Sequence, residues 1–166
     1  MGEMRGRREA IYALEALKGY MPGCETAKLR NFGMTLGVRD TRKIDAQYNL
    51  TGTDVREQAR FDDAIGIFPE FIDGYGMLIL PTTGRYWHVP YRSLVPKNIG
   101  NLLVAGRSIG GDKTSHASAR NMMCCAVSGQ GAGTAAAISI QRDEPFDQLN
   151  IAAVQKELAR QGARFR

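Results

Sequence analysis

Residues 128–137, Ser-Gly-Gln-Gly-Ala-Gly-Thr-Ala-Ala-Ala, set three glycines at alternate positions and then run into alanine. Three kinds of structure use such a run. A phosphate-binding loop needs a strand, then G-x-G-x-x-G, then a helix, with an acidic residue about 20 positions on. Gly129, Gly131 and Gly133 break that spacing, and the preceding Asn-Met-Met-Cys-Cys-Ala-Val has one β-branched residue. A membrane helix fits the length of residues 121–140, and Gly129-x-x-x-Gly133 is a packing motif of such helices. Asn121, Ser128, Gln130, Thr134 and Ser139 interrupt it, however, and no aromatic belt flanks it. The interior of a soluble helix explains more. Ala126, Gly129, Gly133, Ala136 and Ala137 recur at i, i+3, i+4 spacing as a stripe of very small residues. Each interior glycine costs a helix roughly 1 kcal/mol against alanine, which a close approach to another backbone offsets. The spacing predicts a long helix starting near Arg120 that lays this stripe on a sheet and turns Gly131 outward.

Around this helix the pattern is mixed. Apolar residues at Ile11, Leu14, Leu17 and Tyr20 predict a helix over 8–20, ended by Pro22-Gly23. Residues 43–50 alternate, with Ile44, Ala46, Tyr48 and Leu50 on one side, and predict a half-buried strand. Thr53 is the expected cap of a short helix reaching Arg60. Residues 75–80 and 85–90 flank Pro81-Thr82-Thr83-Gly84 and read as a hairpin. The apolar run 101–106, Asn-Leu-Leu-Val-Ala-Gly, reads as a strand buried on both faces. Asn150 caps a closing helix whose Ile151, Val154 and Leu158 share a face and which Gly162 stops. The fold class expected is α/β.

Charge narrows the partners. Lys and Arg number 22 against 17 Asp and Glu, a net +5, but the excess is scattered and much of it lies at Arg5, Arg7, Arg8, Arg160, Arg164 and Arg166. Nucleic-acid binding calls for a basic stripe with interleaved aromatics, which is not present. Cys24, Cys124 and Cys125 form neither a disulfide framework nor a C-x-x-C metal pair, so no metal is expected. The first ten residues contain no apolar core of a signal peptide, and a reduced, cytoplasmic setting with no membrane span is expected.

Residues 89–111, Val-Pro-Tyr-Arg-Ser-Leu-Val-Pro-Lys-Asn-Ile-Gly-Asn-Leu-Leu-Val-Ala-Gly-Arg-Ser-Ile-Gly-Gly, followed by residues 118–137, resemble the C-terminal portion of FAD-dependent oxidoreductases. These belong to the glutathione-reductase-like flavoprotein group, which also holds the fumarate reductase and succinate dehydrogenase flavoproteins. Residues 37–55 are similar to a segment of a bacterial branch, and the likeness spans about residues 6–162. It implies part of a substrate or cap domain over residues 1–95, with antiparallel strands and helices. Residues 96–166 would be the C-terminal part of the FAD domain, with its last strand, the flavin-facing helix and the closing helix. It also implies that the N-terminal βαβ unit, which holds the ADP half of FAD, lies outside this chain, in a partner chain or a longer protein, or else is absent. Hydride transfer from a small organic substrate to flavin N5 is the implied chemistry. The alternative is a non-catalytic fragment or assembly subunit that binds no flavin.

The resemblance also implies site residues. Gly106 and Arg107 would face the cofactor at the end of the last strand, and Arg120, Asn121, Met122 and Met123 would form the helix turn at the flavin. His116 stands near a substrate-binding arginine of the fumarate reductase branch and is the candidate catalytic group. Arg39, Arg42 and His88 are candidate substrate-binding residues.

Overall fold

The structure, a computed structural model, describes residues 1–74, 76–82 and 84–165. The chain divides into two compact units, Met1–Thr41 and Arg42–Arg166. The first contains helix α1, Gly2–Tyr20, which starts earlier than the apolar spacing alone predicts. An Arg5–Glu9 pair one turn apart, 2.7 Å, supports the added turns. No α1 residue is buried; Ile11, Leu17 and Tyr20 of the apolar face are exposed.

The second unit builds its core around a two-stranded antiparallel sheet of β1, Ala64–Pro69, and β4, Tyr86–Pro90. Ile67 faces His88 and Phe68 faces Trp87 across it. Trp87 and Val89 are fully enclosed. A second hairpin joins β2, Ile72–Gly74, to β3, Met77–Ile79. The expected hairpin between residues 75–80 and 85–90 is therefore not formed. Its turn contains Thr83, outside the described residues, but β4 pairs with β1 and β3 with β2. Two apolar segments competed for β4, and the one with which Trp87 shares the core took it.

Residues 43–50 keep the expected burial without the expected strand. Ala46 and Leu50 are buried while Asp45 and Gln47 are exposed. The backbone makes single bridges, Ala46 to Pro96 and Leu50 to Gly111. Its N–H groups go to separate loops: Ile44 to Ser108 O, Gln47 to Val95 O and Tyr48 to Arg92 O. Alternation records which side faces the core, whereas a strand needs one continuous partner.

Thr51, not Thr53, caps the next helix, α2, Gly52–Arg56. Its hydroxyl accepts from Asp54 N–H at 3.1 Å, and Asp54 accepts from Thr51 N–H at 2.8 Å. This reciprocal capping box satisfies two otherwise open donors. Residues 101–106 are not a strand either. Leu102 and Ala105 are exposed, and among the described residues the run joins no sheet, although Val104 N–H donates to Leu94 O.

A short helix, α3, Lys113–Ala119, precedes the long helix, α4, Met122–Arg142. Residues 128–137 do lie inside α4, as expected. The face is not the expected one. Cys124, Ser128, Gly131, Thr134, Ala135 and Ile138 are buried, while Ala126, Gly129, Gly133 and Ala137 are exposed. α4 packs on β1, and of residues 101–106 Gly106 touches it, through Ser128; that run forms no sheet beneath it among the described residues. A Cβ on Gly131 would come within 2.5 Å of Ile65 Cδ1, whereas Gly129 and Gly133 have open space. α4 is long and apolar enough to cross a membrane by length and composition, yet one face of it is buried in this fold. The closing helix α5, Ile151–Arg160, follows its reading: Asn150 accepts from Ala153 N–H at 3.3 Å, and Val154 and Leu158 are enclosed. The α/β class holds, as helices with small antiparallel sheets.

Candidate active site at the start of the long helix

The junction of α3 and α4 is organised by side chains that turn away from α4. Asn121 precedes α4 but does not cap it; its amide donates back to Ser118 O at 2.7 Å and Ala117 O at 3.3 Å. Arg120 is held by Asp73 of β2, with 3.1 Å between Nη2 and the carboxylate. The first-turn N–H groups of α4 therefore have no side-chain cap. Met122 and Met123 beside them are 87% and 72% exposed. A 21-residue helix carries about half a positive charge at this end, so an uncapped start favours an anionic group.

A glycine turn lies against the same helix. Gly106 has φ +74°, a left-handed conformation that costs other residues about 1–2 kcal/mol. Its N–H donates to Ser128 Oγ at 2.9 Å, and that hydroxyl donates to Cys125 O at 3.0 Å. A Cβ on Gly106 would meet Cys125 only at 3.8 Å, so conformation, not crowding, selects glycine here. Arg107 follows, exposed. Burial pushes the Cys125 thiol up, and the positive charge of Arg107 opposes it. Gly106 therefore lies against α4 at Cys125 and Ser128, with the Arg107 charge acting on the Cys125 thiol.

The histidines and the other arginines are placed differently. His116 lies in α3, not in a loop, and is 4% exposed. Ser115, Ala117, Ser118 and Ala119 are buried with it, because α3 is covered by α2, β2 and α4. Its carbonyl accepts from Arg120 N–H, which fixes it one turn before the α4 start. Arg39 and Arg42 are exposed and belong to different compact units. His88 lines a separate cavity with Arg60, Phe61 and Gln155, none of them part of the α4 surface. Asp112 went unnoticed in the sequence, although it holds two helix starts: its carboxylate accepts from Ser115 N–H at 2.7 Å and from Gly52 N–H at 2.9 Å. Its separation of 60 residues from Gly52 hid that role. No cluster of potential metal ligands occurs among the described residues.

A sequence model of FAD-dependent oxidoreductases matches residues 1–158. The chain belongs to that family. No curated protein and no solved structure matches it. FAD is the cofactor that membership of this oxidoreductase family implies. The donor set around α4 fits part of it: uncapped N–H groups, an adjacent guanidinium and a glycine turn suit an electron-rich, oxygen-edged ring. The phosphate-binding strand–glycine loop–helix of such oxidoreductases does not occur among the described residues.

Proposed function

We propose that this oxidoreductase is a dehydrogenase and that the chain supplies its flavin-ring side. The observation that carries the reading is the uncapped, solvent-open start of α4 beside Gly106 and Arg107. When bound, FAD supplies the two-electron acceptor, taking hydride from a small organic substrate at N5. The N–H groups of Met122 and Met123 stabilise negative charge that builds at the ring edge, aided by Arg107. Arg42 offers a guanidinium group to an anionic or oxygenated substrate. His116 takes the substrate's hydroxyl proton at a ring nitrogen as hydride leaves; its place one turn before the α4 start supports that role.

In this reading the ADP half of FAD is held by a βαβ unit outside the described residues, in a partner chain or a further part of the protein. Residues 101–106, which join no sheet here, are the edge it would extend. The reading places the protein in the cytoplasm, with no membrane span and no nucleic-acid partner; the buried face of α4 and the scattered charge support it. FAD titrated into the purified chain, followed by flavin fluorescence, tests the division. Weak binding is expected, rising to a stable yellow complex when an ADP-binding half is co-expressed. Stoichiometric tight binding by the chain alone overturns it. In the flavin-loaded enzyme, His116→Gln is expected to slow flavin reduction by substrate while flavin content holds; unchanged reduction removes His116 from the mechanism.

A further inference from the structure

A cleft in the second unit lies between two loops, each tied down by hydrogen bonds. It encloses about 240 Å³ and is lined by Gln47, Lys97, Asn98, Asn101, Phe146 and Asp147, among others. One wall is residues 97–102. Lys97 N–H donates to Asp45 O at 3.0 Å, Val104 N–H donates to Leu94 O at 2.9 Å, and Asn101 turns the chain between them at φ +52°. Asparagine is among the few side chains that settle readily in that left-handed region. The other wall is the single turn Phe146–Gln148, closed by Gln148 N–H on Pro145 O at 3.0 Å. The buried Tyr91 ties this turn to the core, its hydroxyl donating to Phe146 O at 2.9 Å. Both walls are therefore set before anything enters the cleft.

The groups on those walls are polar, reachable and unclaimed. Gln47, Asn98, Asn101 and Asp147 are exposed, and among the described residues none of their side chains has a hydrogen-bond partner. Three primary amides offer donors and acceptors side by side, and the Asp147 carboxylate offers acceptors alone. The Lys97 ammonium is answered by Asp45 at 2.8 Å and keeps further hydrogens. Phe146 is half-buried yet is not one of the apolar side chains packed on the core, which leaves ring surface for the cleft. A small anion would meet the charge of Asp147, and a small cation that of Lys97. A neutral ring edged with hydroxyls meets neither cost. Each hydroxyl both donates and accepts, as the amides do, and the C–H face of such a ring covers the phenyl group. The volume, below the roughly 300 Å³ at which ordinary ligand pockets begin, limits the guest to a single ring.

We propose that this cleft binds a monosaccharide unit, its hydroxyls bonded to Gln47, Asn98, Asn101 and Asp147 and its apolar face laid on Phe146. The cleft shares no residue with the start of α4, so the site stands or falls independently of the chemistry proposed there.

Methyl β-D-glucopyranoside titrated into the full ¹⁵N-labelled chain without FAD tests it, read on the side-chain amide resonances. The expected result is a saturable shift of the Gln47, Asn98 and Asn101 amides, while the Gln130 amide, bonded to Gln161 at 3.0 Å, stays in place. Kd is expected to rise about fivefold or more in Phe146→Leu, which removes the flat ring but keeps an apolar side chain, and likewise in Asp147→Ala. Cyclohexanol, a ring with one hydroxyl, is expected to bind more weakly by the same factor. Both side chains lie outside the packed core, so the variants keep the fold, and circular dichroism checks this. Amide shifts that are absent or only grow linearly with concentration overturn the proposal. So do equal affinities for cyclohexanol and the glycoside, or an unchanged Kd in either variant.

Discussion

Gly131 of α4 rests on Ile65 of β1 so closely that a methyl group on Gly131 would lie 2.5 Å from Ile65 Cδ1 and 3.0 Å from its Cβ. Ile65 is itself buried and cannot swing away freely. Gly131→Ala is therefore expected to destabilise the fold by about 1–3 kcal/mol, the usual cost of overpacking. Gly129→Ala and Gly133→Ala have open space and should each stabilise it by about 0.5–1 kcal/mol through helix propensity. Melting curves of the three variants check this. A stabilised Gly131→Ala would mean that α4 does not sit on β1 by this face.

Asn121→Asp places a negative charge at the start of α4, where the amide now turns back to Ser118 O. A charge at a helix end is worth about 0.3–1 kcal/mol, or about 6–21 mV for a two-electron couple. The variant is expected to lower the midpoint potential of the bound flavin by that amount, measured in the assembled enzyme by dye-coupled reduction. A potential that rises or holds separates the flavin from this helix end.

The pH dependence of stability should carry the mark of His88. Burial holds its imidazole below the ordinary value of 6.5, the Phe61 carbonyl near Nδ1 opposes this, and the Arg60 charge adds to it. The unfolded chain takes up the proton first as pH falls, so the contribution of His88 is complete above about 6.5 and is lost as pH falls through the lower folded value. Thermal melts from pH about 7.5 to about 5.5 should therefore fall more steeply for the native chain than for His88→Gln. Parallel slopes would assign the acid sensitivity to other groups.

Asp112 joins two helix starts through one carboxylate, so Asp112→Ala leaves the N–H groups of Gly52 and Ser115 without their acceptor. Caps are worth about 0.5–2 kcal/mol each. A loss at or above the single-cap range in chemical denaturation, with Asp112→Asn recovering part of it, is expected. A loss of only a few tenths of a kcal/mol would show that water replaces both contacts.

The local signals in the sequence carried the helices. α5 was legible down to Asn150 and Val154, and α4 as an uninterrupted helix through three glycines, because helix bonds link residues four apart and the pattern is written in neighbours. Tertiary structure decided which side of α4 is buried. Small residues form two stripes there, and Ser128, Gly131 and Ala135 won over Gly129 and Gly133 only because Ile65 lies opposite. It also decided that β4 pairs with β1 and that residues 101–106 join no sheet among the described residues, since a strand is completed by a partner its own sequence does not name. The surroundings of His88 belong to this second kind of knowledge: Arg60, His88 and Gln155 meet across long separations, and only the folded chain brings them to one cavity.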